Sequence, residues 1–451
     1  MRVPIALVMS LAAAHAEVPP PLENPLLTNG PSTVLIEHTP KGWRMQRNGW
    51  PYFVRGACVW GENVRLNDLV AAGGNSLRTY HSKYARWTLD AAQRRGLTVM
   101  LGYEINSEHG GFSYLSATDL AAQRERYLGF VKKHRDHPAL LAWAIGNEVE
   151  QGVEDPAHLE AMWRELNTLA QMTKAADPRH PTAIVLAGVN DEKLAAVARW
   201  CPDVDLICFN VYGGLRNLPE RLDKLGWRRP YLVTEFGAAG WWEAPKTTWG
   251  APIEMTSTQK AREYLVSYER GVLGDRNRCL GSYVFFWESK QEATSTWFGM
   301  FLPGGERLEM IDAMTQAWSR RPPHNRSPQI KTLEFVDAKD QFIPGEPIRV
   351  KLSASDPDRD MLGVWWRISE EAPAFTMENA YEAAPRMLRE HSIVPTAGGA
   401  EFPAPGQPGA YRIFVYVYDG QGNAATGNLC FAVNMAPAPP AVEFISPPET
   451  N

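Results

Sequence analysis

Cysteine is scarce in this chain. There are five among 451 residues: Cys58, Cys201, Cys208, Cys279 and Cys430. An odd number leaves at least one thiol without an intrachain partner. None sits in a CxxC pair or a His/Cys cluster with zinc spacing. Three fall inside apolar, strand-like runs, where a free thiol packs as a small hydrophobe, so buried free cysteines are expected. Charge of one sign is lacking too. Lys and Arg number 46 against 51 Asp and Glu, a net charge of -5. With no basic block or patch, a nucleic-acid partner is not indicated. Long apolar runs are also missing: the longest, Pro4 to Ala13, is too short to span a bilayer, and no membrane span is expected.

That short run belongs to "MRVPIALVMSLAAAHAEVPPP". Arg2 precedes the apolar stretch, Ala14-His15-Ala16 offers an A-x-A cleavage site, and a Pro run follows. This is the pattern of a secretory signal over residues 1–16, and it predicts a secreted or periplasmic protein. The chain as a whole has a globular composition, 44% hydrophobic and 22% charged. It is rich in tryptophan, with 16 residues. Indoles suit a core, and they also suit a protein that stacks sugar rings on aromatic planes.

After lead-in strands over residues 17–51, strand and helix patterns alternate. The strand-like runs begin "YFVRGACVW" (Tyr52), "NSLRTYH" (Asn75), "LTVMLGYE" (Leu97), "LLAWAIGNE" (Leu140), "TAIVLAG" (Thr182), "DLICFNVY" (Asp205), "YLVTEFG" (Tyr231) and "LGSYVFFWE" (Leu280). Between them lie stretches such as "DLAAQRERYLGFVKKH", with apolar residues at helical spacing. Eight such units over residues 52–320 predict a (β/α)8 barrel of class α/β. The continuously apolar runs fit parallel strands covered on both faces. A doubly wound open sheet would carry a Gly-rich phosphate loop after its first strand, and "GACVWGEN" is no such loop.

The texture changes after the Pro-rich "SRRPPHNRSPQ". Alternating strands separated by Gly, Pro and Asp turns predict a small all-β, immunoglobulin-like sandwich over residues 328–436. Its "ASDPDRD" and "VYDGQGN" segments read as turn chemistry, with calcium as the alternative role for their aspartates. A Pro-rich tail occupies 437–451.

In a (β/α)8 barrel the C-terminal ends of the strands build the active site. Here the second strand ends in Arg78 and Tyr80, the third in Tyr103 and Glu104, and the fourth in Asn147 and Glu148. The sixth ends in Asn210 and Tyr212, the seventh in Glu235, and the eighth in Trp287 and Glu288. Two carboxylates on facing strands suit glycoside hydrolysis, in which one protonates the leaving oxygen and the other attacks the sugar or activates water. Arg78 and Tyr212 are expected to hold one carboxylate ionised. Asn147 is expected to grip a sugar hydroxyl and Trp287 to floor the ring. Tyr80, Tyr103, Glu104 and Asn210 complete the expected substrate contacts. The Trp-rich loop "AAGWWEAPKTTWGAPIEM" offers Trp241, Trp242 and Trp249 as sugar platforms.

These motifs resemble a known group. "IGNEV" and "VTEFG" look like the two catalytic signatures of the clan A retaining glycoside hydrolases. "GWRMQRNGWPYFVRGACVWG" resembles the lead-in to the barrel of glycoside hydrolase family 2. "AAGGNSLRTYH" is similar to the second strand of that family and of the β-1,3-glucanosyltransferases. The resemblance covers about Gly42 to Trp318. It implies that Glu148 is the acid/base and Glu235 the nucleophile of a double displacement on a β-linked oligo- or polysaccharide, with a β-glucan first in view. It implies no metal and no organic cofactor. The jelly roll and sandwich that precede a family 2 barrel are not matched, and Tyr103 and Glu104 stand where the clan often has a strand-three His.

Three other readings remain open from sequence. One is a transglycosylase of the same clan. Another is a non-catalytic carbohydrate-binding barrel. The third, a (β/α)8 metal hydrolase, would need a His-x-His on the first strand, where Cys58 and Trp60 stand instead.

Overall fold

A computed structural model gives the fold and describes residues 30–60, 65–106, 111–372, 383–388 and 392–434. The expected leader and Pro-rich tail lie outside these residues. Three short strands come first: β1 (Val34–Thr39), β2 (Gly42–Arg47) and β3 (Trp50–Tyr52), forming an antiparallel sheet. This sheet closes the N-terminal end of the barrel. The Ser32 hydroxyl donates to Leu140 O at 2.8 Å and Arg47 Nη2 to Pro138 O at 2.7 Å, both where the fourth barrel strand begins.

The barrel strands are β4 (Val54–Cys58), β5 (Ser76–Arg78), β6 (Thr98–Tyr103), β7 (Leu140–Ile145), β8 (Thr182–Ala187), β9 (Leu206–Asn210), β10 (Tyr231–Phe236) and β11 (Cys279–Val284). They pair in parallel and in chain order, and β11 closes on β4. The helices that follow them are α1 (Leu66–Ala71), α2 (Ala85–Gln93), α3 (Ala117–His134), α4 (Pro156–Ala176), α5 (Asp191–Trp200), α6 (Leu218–Lys224), α7 (Ser257–Ser267) and α8 (Glu309–Ser319). The (β/α)8 expectation therefore holds. Polar caps start the longer helices. The Asp155 carboxylate accepts from two backbone N–H groups ahead of Pro156, and Thr256 with Gln259 forms a capping box.

Strand residues alternate between two cores. In β9, Ile207 and Phe209 face the helices, while Leu206 and Cys208 face the barrel interior. All five cysteines are free and buried, as their apolar settings suggested.

Beyond α8 the chain forms two packed sheets. One holds β13 (Gln329–Phe335), β15 (Pro347–Ser355), β18 (Gly399–Pro403) and β17 (Val394–Thr396). The other holds β20 (Asn423–Val433), β19 (Gly409–Tyr418) and β16 (Gly363–Glu370), with β14 (Gln341–Phe342) paired to β20. The second sheet also takes in β12 (Arg307–Leu308), which comes from the barrel side and pairs with β20. Phe414, Tyr416 and Ala424 of the sandwich pack into the outer core of the barrel. In the turn before β20, Asp419 accepts from the N–H groups of Gln421 and Asn423, which is turn chemistry.

Candidate active site

A cavity of about 630 Å³ opens at the C-terminal end of the barrel strands. Glu148 and Glu235 both line it, with Tyr80, Glu104, Asn147, Asn210 and Tyr212 among its other walls.

Glu235 reaches the cavity through an irregularity in its strand. Leu232 faces the interior and Val233 the helices, so strict alternation would turn Glu235 outward. The register between β9 and β10 shifts between Val233 and Glu235. An irregularity of this kind re-aims a side chain. Thr234 and Glu235 therefore both face inward, and Phe236 returns to the helix side.

Three donors hold the Glu235 carboxylate. Arg78 Nη1 lies 2.8 Å and the Tyr80 hydroxyl 2.8 Å from Oε1; the Tyr212 hydroxyl lies 2.6 Å from Oε2. Arg78 is 1% exposed and also donates to Thr234 O and Asn147 Oδ1. Burial pushes both phenols well above their usual range, and for Tyr212 the Glu235 charge adds to the effect. The two hydroxyls thus stay protonated donors. Both Glu235 oxygens thus accept from donors, one of them a guanidinium, a charge-assisted arrangement.

Glu148 sits in a different environment. The backbone leaves β7 through Gly146, at φ 72°, where a Cβ would come within 2.7 Å of Ile105 and Val149. Glu148 itself is left-handed at φ 51°, a strained conformation for a side chain of this kind, and its N–H donates to Val185 O at 2.9 Å. Strain of this order at a strand end aims the carboxyl at the cavity. Asn210 Nδ2 donates to Oε1 at 2.8 Å and Gln151 Nε2 to Oε2 at 3.1 Å. Among the described residues no cation pairs with it. Burial, and then the nearby Glu235 charge, raise its pKa to about 8. Two glutamates in one cavity thus sit in contrasting surroundings, Glu235 on three donors that include a guanidinium and Glu148 desolvated with a raised pKa, the kind of contrast that acid/base and nucleophile roles require.

A polar chain links them. Asn147 Oδ1 accepts from both Arg78 and Asn210, and Asn210 Oδ1 accepts from the Thr234 hydroxyl at 2.8 Å. The amide nitrogen of Asn147 has no protein partner among the described residues, which leaves it available to a ligand hydroxyl.

Several sequence expectations need correction. Tyr103 does not line the cavity. It shares the outward phase of Val99 and Leu101 and packs on Tyr127 and Phe130 of α3. Trp287 is no sugar floor: it is fully buried among Phe301 and Trp318, and its Nε1 donates to Arg65 O. Phe285 and Phe286 both join the inner cluster, which pushes Trp287 to the outer one. Trp249 lines a separate cavity against the sandwich. Glu104 lines the main cavity, but both its oxygens accept from Ser82. The hydroxyl of Tyr80 is spent on Glu235. Trp241 and Trp242 do line the cavity, Trp242 at 40% exposure.

Residues not anticipated from sequence also form the walls: Trp60, His81, Gln151, Arg221, Glu243, Phe285, Lys290 and Glu292. Glu243 accepts from the N–H groups of Gly213 and Gly240, tying together the loops after β9 and β10. Glu292 accepts from Trp241 Nε1 at 3.2 Å and pairs with Lys290 Nζ at 2.8 Å. Apart from Arg221 on α6, they come from irregular segments, where no periodicity marks which way a side chain faces.

Comparison with known proteins agrees with this geometry. The family described as "Glycosyl hydrolases family 2, TIM barrel domain" matches residues 63–245. The β-glucuronidase of Mus musculus is 26% identical over 207 residues, 42% of this chain and 28% of that protein. The enzyme of Canis lupus familiaris is 24% identical over 246 residues, 48% of this chain and 34% of that protein. Among solved structures, Bacteroides uniformis β-glucuronidase 2, covalently bound to cyclophellitol-6-carboxylate aziridine, aligns with a TM-score of 0.51 at 14% identity. That alignment covers 90% of this chain and 48% of the other, and it speaks to the fold. The chain spans less than half the length of each of these relatives. Strand order, the two glutamates at the mouth and the family match agree that this chain carries a (β/α)8 barrel similar to the TIM barrel domain of glycosyl hydrolases family 2.

Proposed function

We propose that this protein hydrolyses β-glycosides by double displacement. Glu235 attacks the anomeric carbon while Glu148 gives its proton to the departing oxygen. Glu148, now a base, then draws a proton from water, which releases the sugar from Glu235. The observation that carries this reading is the contrast between the two carboxyls of one cavity. Arg78, Tyr80 and Tyr212 all donate to the Glu235 carboxyl, and Glu148 keeps a proton up to about pH 8. Tyr212 and Arg78 also hold the Glu235 oxygens in place for attack. The test is turnover of a panel of aryl β-glycosides and β-glucans, with Glu148→Gln and Glu235→Gln as controls. Loss of nearly all turnover in both variants is expected; full activity in either one rejects the assignment.

For the substrate we favour a neutral β-glycan, with β-glucan first. Besides the protonated Glu148, four acidic side chains line the cavity, Glu104, Glu235, Glu243 and Glu292, and the Lys290 ammonium among them is already paired with Glu292. An added sugar carboxylate would meet like charge there. Trp60, Trp241 and Trp242 supply apolar faces for a neutral ring. A β-glucuronide is the second reading. It is favoured by the activity named for the curated relatives and by Lys290 and Arg221, two cations in the cavity wall. Comparing kcat/KM for nitrophenyl β-glucoside and β-glucuronide separates the two; a preference for the glucuronide overturns the first.

A further inference from the structure

The cavity wall is braced from the sandwich by a largely buried ionic network. Its centre is Glu254, late in the loop that follows β10 and carries Trp241, Trp242 and Glu243. Each Glu254 oxygen accepts two bonds. Oε1 takes Lys260 Nζ at 2.5 Å and the Thr296 hydroxyl at 2.8 Å; Oε2 takes the Thr294 hydroxyl at 2.6 Å and Asn428 Nδ2 at 2.6 Å. Lys260 spends its other two protons on the carbonyls of Thr296 and Trp297, at 2.7 and 2.9 Å. The pair therefore clamps the loop after β10 to the segment after β11.

Asn428 belongs to β20, and its Oδ1 accepts from Arg412 Nη1 of β19 at 2.7 Å. Arg412 Nη2 donates to Pro252 O at 2.9 Å and to Glu371 at 3.0 Å. Glu254, Lys260 and Arg412 are each at most 6% exposed. Charges this deep are tolerated only when every partner is in place. Two anions, Glu254 and Glu371, here balance two cations, Lys260 and Arg412.

The same segment leads into the cavity. Glu292 and Thr294 bond each other's backbone in both directions, and the Glu292 carboxylate then holds Trp241 and Lys290 in the cavity wall. Trp297 Nε1 adds a second tie, to Ala239 O at 3.1 Å. We propose that Asn428 and Arg412 of the sandwich are positioning residues for the sugar-binding wall, acting through Glu254 and Thr294 on Glu292 and Trp241. Neither glutamate of the chemistry is touched by this network, so it governs substrate binding and leaves the bond-breaking step to the barrel. This inference rests on reading the cavity as the glycosidase site.

The test compares Asn428→Leu and Thr294→Val with Thr294→Ser, which keeps the hydroxyl, and with Gln329→Leu. The last breaks the 2.7 Å bond from Gln329 to Glu309, another barrel–sandwich contact remote from the cavity. Asn428→Leu and Thr294→Val are expected to raise KM for an aryl β-glycoside about tenfold with kcat near wild type, the signature of lost binding. Thr294→Ser restores KM, and Gln329→Leu leaves it unchanged. Amide hydrogen exchange over 238–255 and 290–298 accelerates in Asn428→Leu and not in Gln329→Leu. Wild-type KM and wild-type exchange in Asn428→Leu and Thr294→Val overturn the inference, as does an equal rise of KM in Gln329→Leu. If the wild-type protein turns over no glycoside, the functional reading fails. The exchange measurement then decides the bracing alone: acceleration in those two segments upholds it and its absence overturns it.

Discussion

Arg78 and Glu235 form a buried ion pair, Nη1 to Oε1 at 2.8 Å, across two strands that do not touch each other in the barrel. Arg78 is 1% exposed and its side chain has nowhere to hydrate. Removing it leaves a buried carboxylate with two phenols and no counter-charge. Arg78→Met is expected to cost about 3 kcal/mol of stability, measured by denaturant unfolding. It should also lower kcat by about a hundredfold or more, because the nucleophile loses its charge-assisted hold. Near-wild-type kcat would show that the phenols suffice.

The pH dependence of kcat/KM follows from Glu148. Its carboxyl must be protonated to act as the acid, and its pKa lies at about 8, raised by burial first and by the Glu235 charge second. Activity should therefore fall through pH 8 and decline tenfold per unit beyond it. Stability moves the same way. The folded pKa lies above the unfolded one, so the stabilising contribution of the protonated form is complete below about pH 4.5 and is lost as pH rises towards 8. Glu148→Gln should melt higher than wild type at pH 8 to 9 and nearly with it at pH 4. An alkaline limb that persists in Glu148→Gln would assign it elsewhere.

Azide distinguishes the two roles. In Glu148→Ala, an activated aryl glycoside still forms the glycosyl–Glu235 ester, and azide then replaces it from the opposite face with net retention. In Glu235→Ala, azide takes the place of the nucleophile and gives the inverted product. NMR of the glycosyl azide formed by each variant reads the result. Inverted azide from Glu148→Ala would exchange the roles of the two glutamates.

Tryptophans in the two cores should behave differently. Trp241→Ala removes a wall of the cavity and is expected to raise KM about tenfold. Trp287→Phe removes the bond to Arg65 O and part of a packed core. It should lower the melting temperature, with a loss on the order of 2 kcal/mol, and leave KM alone. A changed KM in Trp287→Phe would return that residue to the site.

Much of the site is legible in the chain because strand alternation is a local property. Arg78 follows Ser76 by two residues and Asn210 follows Cys208 by two, so both point inward by simple counting. The same counting turns Tyr103 outward with Val99 and Leu101, and the polar strand-end pattern obscured it. Counting fails where strands are irregular. Glu235 faces inward through the shifted register after Val233, and Trp287 faces outward after two successive inner residues. The loop residues Gln151, Lys290 and Glu292 carry no periodic signal at all.

Sequence by itself determined the barrel, through eight apolar runs alternating with helical patterns, and brought polar groups to its rim, because period and burial are set by neighbours in the chain. Only the tertiary structure brought Tyr80 onto Glu235 beside Arg78 and Tyr212, and buried the Glu148 carboxyl so that its pKa rises to about 8. The guanidinium and phenols that hold Glu235 come from 23 to 157 positions away in the chain, and their convergence, like the desolvation of Glu148, arises only when the barrel closes.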